Sequence, residues 1–178
     1  MENFISMVVG TGIGGAIVIH DRLYRGTNAT AGEFGFMLAE PINGGDTRLA
    51  SLSLTGSVQS GVVNRYAETT KEENLDGLAV FNKAASGDVL AVEIIEMFYA
   101  RLSEGLYNLS VSFDPEAILI GGAISSDEAF IAELNKRVNA IKAGHPDMAK
   151  VKLPPIIPCY FRNDAGIVGS VYKVLEEL

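Results

Sequence analysis

An apolar run, Asn3–Val9 (NFISMVV), ends on the stretch GTGIGG at Gly10–Gly15, and a second apolar, β-branched run, Ala16–His20 (AIVIH), follows at once. Short apolar runs bounded by glycine are the mark of buried strands. Two of them on either side of a glycine-rich connection predict a β-hairpin with Gly10–Gly15 as its loop. Glycine tolerates positive φ and leaves no Cβ in the way, so such a loop can turn several N–H groups toward one point and cradle a phosphate. The same glycines also suit a tight turn with no ligand. No Gly-Lys-Ser/Thr follows, which excludes the Walker pattern, and a strand rather than a helix comes next, which excludes the dinucleotide fingerprint.

Residues 21–46 are rich in Gly, Asn, Asp and Pro and read as loops with short extended pieces. A mixed helix is expected from Arg48 to Glu68, with Thr47 as its cap. The clearest helix runs from Asp88 to about Ser112, with Val89, Val92, Ile95, Phe98 and Leu102 on its apolar stripe and Asp114-Pro115 as its stop. Ala117–Ile120 (AILI) is a buried strand running into Gly121-Gly122. An amphipathic helix follows over Asp127–Lys142, then a strand at Ile156–Cys159 and a closing helix over Asp164–Leu178 whose Gly166 and Gly169 suit close packing. The order is β-hairpin, helices, then β-α-β-α, which predicts a single α/β domain with one mixed sheet.

The chain has 178 residues, 48% of them hydrophobic and 20% charged, enough for a core of its own. Its net charge of −8 argues against generic binding to nucleic acid or anionic membrane, so an anionic ligand has to be met by backbone N–H groups or a metal. No apolar run reaches the length of a membrane span. The start Met1-Glu2-Asn3 lacks the basic flank of a secretory signal, and the single cysteine, Cys159, cannot form an internal disulfide; both fit a cytoplasmic protein. Cys159 reads as a small buried hydrophobe, and Met97, Phe98, Leu102 and Leu106 as a core or interface face.

The segment VGTGIGGAIVIHDRLYRGTNATAGEFGFM at 9–37 resembles the signature of the ROK family of repressors and sugar kinases, within the actin-like, sugar-kinase and Hsp70 superfamily. FDPEAILIGGAISS at 113–126 resembles that family's adenosine segment, and NDAGIVGSVYKVL at 163–175 its closing helix. The resemblance implies an RNase H-like lobe, with a mixed sheet flanked by helices. It implies that Gly10, Thr11, Gly12 and Gly14 hold the phosphates of ATP, delivered with Mg2+. Gly121, Gly122 and Ala123 then lie against the adenosine, and Glu33 accepts hydrogen bonds from sugar hydroxyls. Phe36 stands where the family usually has a histidine. No cysteine cluster follows it, so no zinc or other metal site is expected, as in the zinc-less branch that includes β-glucoside kinases.

In this family an N-terminal lobe carries an Asp-x-Gly-Gly-Thr loop and an Asn-Asp pair whose aspartate deprotonates the sugar. Neither motif is present here. The resemblance therefore implies a C-terminal lobe with no catalytic residue in this chain, inactive alone and prone to form a homo-oligomer, a dimer above all. Asp164, in Asn163-Asp164, reads as a helix N-cap rather than a base. Two other readings stay open: a sugar-sensing and dimerisation module of a ROK repressor, and a truncated non-catalytic product.

Overall fold

The computed structural model describes residues 1–42 and 44–176; Glu177 and Leu178, the end of the expected closing helix, lie outside them. Five strands form one mixed sheet: β1 (Phe4–Val9), β2 (Ile13–Ile19), β3 (Arg22–Tyr24), β4 (Ala117–Gly121) and β5 (Ile156–Pro158). Their spatial order is β3-β2-β1-β4-β5, with β1, β2 and β3 antiparallel and β1, β4 and β5 parallel. The β1–β4 register is fixed at its start by Glu116. Its Oε1 accepts the N–H groups of Glu2 (2.6 Å) and Asn3 (2.9 Å), which hold the carboxyl below its usual range.

Alternation along the strands sends one set of side chains into the core. Ile5, Met7 and Val9 of β1 are fully buried, level with Ile17 and Ile13 of β2 and with Ile118 and Ile120 of β4. Against this face pack α4 (Val89–Phe113) and α5 (Glu128–Ala143), through Phe98, Leu102, Leu106, Phe130 and Leu134. The Phe98 ring stacks on Phe130 at 6.1 Å and meets Phe81 edge-on at 6.1 Å, which ties a shorter helix, α3 (Gly77–Ala85), to the same core.

Several expectations need correction. Strand β2 begins at Ile13, because Gly14 and Gly15 pair with Val8 and Met7; the hairpin turn is only Gly10-Thr11-Gly12. The single helix expected over 48–68 is four pieces: a 3-10 turn at Thr47–Ala50, α1 (Leu52–Thr55), a π-helical segment at Val58–Asn64 and α2 (Arg65–Thr70). The first three pieces each carry a side-chain cap, and α2 continues the π-helical segment without one. Asp46, not Thr47, accepts the Arg48 N–H, and Ser51 and Ser57 cap the next two pieces. On α4 the buried stripe is Ala91, Ile94, Ile95, Phe98, Leu102, Leu106 and Leu109. Val89 is 71% exposed, and Val92 and Met97 also face outward, because the helix is turned so that Ile94, Phe98, Leu102 and Leu106 enter the core.

The last two elements also differ. Strand β5 stops at Pro158, and Cys159, half-buried rather than buried, donates its N–H to Ile120 O at 2.7 Å. Helix α6 (Ala165–Glu176) is not closely packed: a Cβ at Gly166 or Gly169 meets nothing within 4 Å. Ile167 is 67% exposed and Leu175 64%, with Val171 and Val174 similar. A helix this apolar on its outside is ordinarily covered. Among the described residues no helix is long and apolar enough to cross a membrane.

Candidate nucleotide and sugar site

The turn Gly10-Thr11-Gly12 is held from behind by the residues that break the 48–68 helix. Ser57 and Ser60 donate their hydroxyls to Thr11 O (3.2 and 3.4 Å), Gln59 N–H donates to Gly10 O (3.2 Å), and Gly10 N–H donates to Gly12 O (3.1 Å). Ser53 Oγ accepts Ile13 N–H at 2.8 Å. All three carbonyls of the turn are thus engaged by the protein. The N–H groups of Thr11 and Gly12 donate to no protein group among the described residues. A turn with its acceptors tied back and its donors free suits an anion. A π-helical segment, of the kind found at functional sites, supplies two of these ties, through Gln59 and Ser60, and its cap Ser57 supplies a third.

The glycines do not serve the turn through positive φ, which none of Gly10, Gly12, Gly14 and Gly15 adopts. Their roles are spatial and differ. A Cβ at Gly10 or Gly14 meets open space; at Gly12 it would lie 3.0 Å from Ser53 Oγ; at Gly15 it would strike the Phe34 ring and Ser6 O. Gly14 therefore sits in strand β2 rather than in the loop, with its open side facing outward.

The turn forms one end of a cleft of about 800 Å³ at the carboxyl ends of β1 and β4, where ligands of open α/β sheets bind. One wall is the face of α3 that carries Leu78, Phe81, Asn82 and Ala85; the other is Ala123, Ile124, Ser126 and Asp127. Among the described residues no Lys or Arg lines it, so a phosphate chain would be met by backbone N–H groups and an accompanying cation. Of the three residues expected against adenosine, only Ala123 lines the cleft. Gly121 and Gly122 are turned to β1: Gly122 has φ 91°, and a Cβ there would overlap Val9 O, while one at Gly121 would lie 3.2 Å from Val8 Cγ2. Their missing side chains admit the neighbouring strand β1.

Helix α3 was missed from the sequence, although Asp76 before it and Gly87 after it (φ 90°) were readable as a cap and a stop. It supplies much of one wall.

Glu33 lies outside this cleft, on the segment laid over β2. A Cβ at Gly32 (φ 95°) would lie 2.6 Å from Gly15 O, Phe34 is buried beneath Gly15, and Gly35 abuts Ile13 O. These contacts fix the backbone on both sides of Glu33 and leave its exposed carboxylate without a protein partner among the described residues. Phe36 is 77% exposed. Asp164 ends a 3-10 turn, Arg162–Asp164, in which Arg162 has φ 50°, and Ala165 follows at φ −54° to begin α6. No group of three or more His, Cys, Asp or Glu able to hold a metal occurs among the described residues.

The ROK family model matches residues 1–177. The chain belongs to the ROK family. It is 35% identical over 180 residues to a β-glucoside kinase of Listeria monocytogenes, across 99% of this chain and 58% of that protein. It is 27% identical to an N-acetylmannosamine kinase of Haemophilus influenzae, across 100% and 57%. This ROK chain thus spans just under three fifths of the length of the curated relatives it matches. Among solved structures it resembles a ROK family protein of Streptococcus pneumoniae in complex with sucrose (TM-score 0.87, 32% identity, 99% of this chain and 59% of that one). A Streptomyces griseus ROK glucokinase in complex with glucose and AMPPNP, at 23% identity and TM-score 0.76 over 95% and 59%, shares the fold. The fold is that of the actin-like sugar kinases, and the homologues are sugar kinases.

Proposed function

We propose that this chain is the nucleotide- and sugar-binding lobe of an ATP-dependent sugar kinase acting on a glucose, glucoside or related hexose. The observation that carries the reading is the Gly10–Gly12 turn, its carbonyls tied back and its Thr11 and Gly12 N–H groups free at one end of the cleft. Thr11 and the glycines hold the phosphates, Ala123 and Ile124 with α3 enclose the nucleoside, and Glu33 accepts sugar hydroxyls. Bound ATP, with Mg2+ brought in alongside, supplies the transferable γ-phosphoryl. Such transfer depends on positioning and charge stabilisation by both walls of a cleft.

The base that takes the sugar proton would come from a second lobe, equivalent to the two fifths of the relatives that this chain does not match. The uncovered apolar surface of α6 supports a partner lobe of that kind. A dimer remains part of the reading.

Calorimetric titration of Mg-AMPPNP into the 178-residue chain should give saturable binding with one site per chain; no heat of binding refutes the cleft assignment. Glu33→Gln should weaken sugar binding in the protein with its partner lobe, and unchanged affinity returns Glu33 to an ordinary surface carboxylate. The chain alone should not phosphorylate sugar, and steady turnover by it would refute the two-lobe reading.

A further inference from the structure

Helix α3 presents one stripe to the cleft along its length: Asp76 and Gly77 at its start, Leu78, Phe81 and Asn82 in the middle, and Ala85 at its end. Gly77 seats this helix on the phosphate end. A Cβ there would lie 2.5 Å from Val58 Cγ1, and the next residue, Gln59, holds Gly10 O. From Asp76 to Asn82 a helix advances about 9 Å, roughly the reach from ribose to the far edge of a purine. The stripe offers two polar side chains with unused hydrogen-bonding capacity. Asp76 caps α3 through Oδ1, which accepts Ala79 N–H at 2.8 Å, and its Oδ2 has no partner among the described residues. The Asn82 amide makes no side-chain hydrogen bond there either, and it stands between the apolar Leu78, Phe81 and Ala85.

We propose that Asp76 and Asn82 select the nucleoside, Asp76 Oδ2 accepting ribose hydroxyls and the Asn82 amide reading the adenine edge. This rests on the nucleotide reading of the cleft. A carboxylate oxygen accepts and cannot donate, so it rewards a ribose that offers hydroxyl protons. An amide pairs one donor and one acceptor with adenine N7 and N6–H; guanine presents two acceptors at the same edge and leaves the amide oxygen facing another oxygen. Leu78, Phe81, Ala123 and Ile124 supply the apolar faces that hold the ring between the walls. Asp127 on the opposite wall is the competing carboxylate. Its Oδ1 accepts Ala129 N–H (2.8 Å) and Phe130 N–H (3.4 Å), and it belongs to the wall that begins beyond Gly122 rather than to the α3 stripe.

The test titrates Mg-ATP, Mg-2′,3′-dideoxy-ATP and Mg-GTP into the 178-residue chain and its variants. The unmodified chain should bind ATP about tenfold more tightly than the dideoxy analogue, the value of a charge-assisted hydrogen bond, and about tenfold more tightly than GTP. Asp76→Asn keeps a capping oxygen for Ala79 N–H. It should bind ATP as weakly as the dideoxy analogue, with an unchanged melting temperature. Asn82→Leu should abolish the preference for ATP over GTP. Equal affinity of the unmodified chain for ATP and the dideoxy analogue overturns the ribose assignment without any variant. Loss of ribose selectivity in Asp127→Asn but not in Asp76→Asn overturns it in favour of the opposite wall. Binding of ATP and GTP with equal affinity overturns the base assignment while leaving the cleft reading intact. Failure of every nucleotide to bind overturns both.

Discussion

Replacing Gly15 with alanine puts a methyl carbon 2.5 Å from Phe34 Cδ2 and 2.5 Å from Ser6 O. Neither neighbour can yield cheaply. Ser6 lies in the central strand, where Met7 and Gly15 are paired and β1 is also bonded to β4, so the oxygen cannot move without opening the sheet. The Phe34 ring is 5% exposed and would have to leave its place over β2. Overpacking alone costs about 1–3 kcal/mol, and partial loss of a buried phenylalanine adds about 1–2 kcal/mol. A total of about 2–5 kcal/mol, with a urea slope of about 2 kcal/mol per molar for a chain this size, lowers the unfolding midpoint by about 1–2.5 M. One residue earlier, a Cβ at Gly14 meets open space, and Gly14→Ala should alter stability by no more than about 0.5 kcal/mol. The assay is urea unfolding of both variants, followed by circular dichroism, with AMPPNP titration of each. A midpoint for Gly15→Ala within about 0.3 M of the parent, inside the extrapolation error, would refute the packing argument. So would a large stability loss in Gly14→Ala.

The Asp88 carboxylate is held below its ordinary value of 3.8, first by Ala91 N–H and then by the Tyr66 hydroxyl at 2.8 Å. A depressed folded value means that its stabilisation is complete above 3.8 and is lost as pH falls through the lower folded value. Asp88→Asn should lower stability at neutral pH and flatten that part of the acid-unfolding curve, so that variant and parent converge at low pH when followed by circular dichroism. Tyr99 is pushed up to about 12, by burial first and then by the charges of Asp127 and Glu133. Its phenol should stay neutral between pH 10 and about 12 in an absorbance titration, and its contribution to stability should be full below pH 10 and fall as pH rises toward 12. In α6, Ile167→Ser and Val171→Ser should each change the stability of the chain by no more than about 0.5 kcal/mol, because both side chains are exposed. The same variants should impair association with a partner lobe in a pull-down; normal association would remove α6 from that interface.

Much of the frame was legible in residue order. Strands β1, β2 and β4 announce themselves as apolar runs bounded on one side by glycine, and α4 and α5 as amphipathic stretches beginning at Asp88 and Asp127. The region 47–70 was not legible. Its serines and threonines fit one mixed helix by composition, yet each of Ser51 and Ser57 starts a new piece by bonding the backbone three residues on. Those breaks allow Ser53, Ser57, Gln59 and Ser60 to hold the Gly10–Ile13 stretch from forty or more residues away in sequence. Helix α3 was missed because its short apolar stripe is split between the core, through Val80, and the cleft, through Leu78 and Phe81.

The sequence by itself determined the central strands β1 and β4, the places where side chains are missing and the membership of the ROK family. Only the tertiary structure decided what each missing side chain is for. At Gly15 the space is taken by Phe34, at Gly32 by the backbone of β2 and at Gly122 by Val9; at Gly10 and Gly14 it is left open beside the free N–H groups of the turn. The absence of a Cβ reads identically in every case, because what fills the space comes from residues distant in the chain.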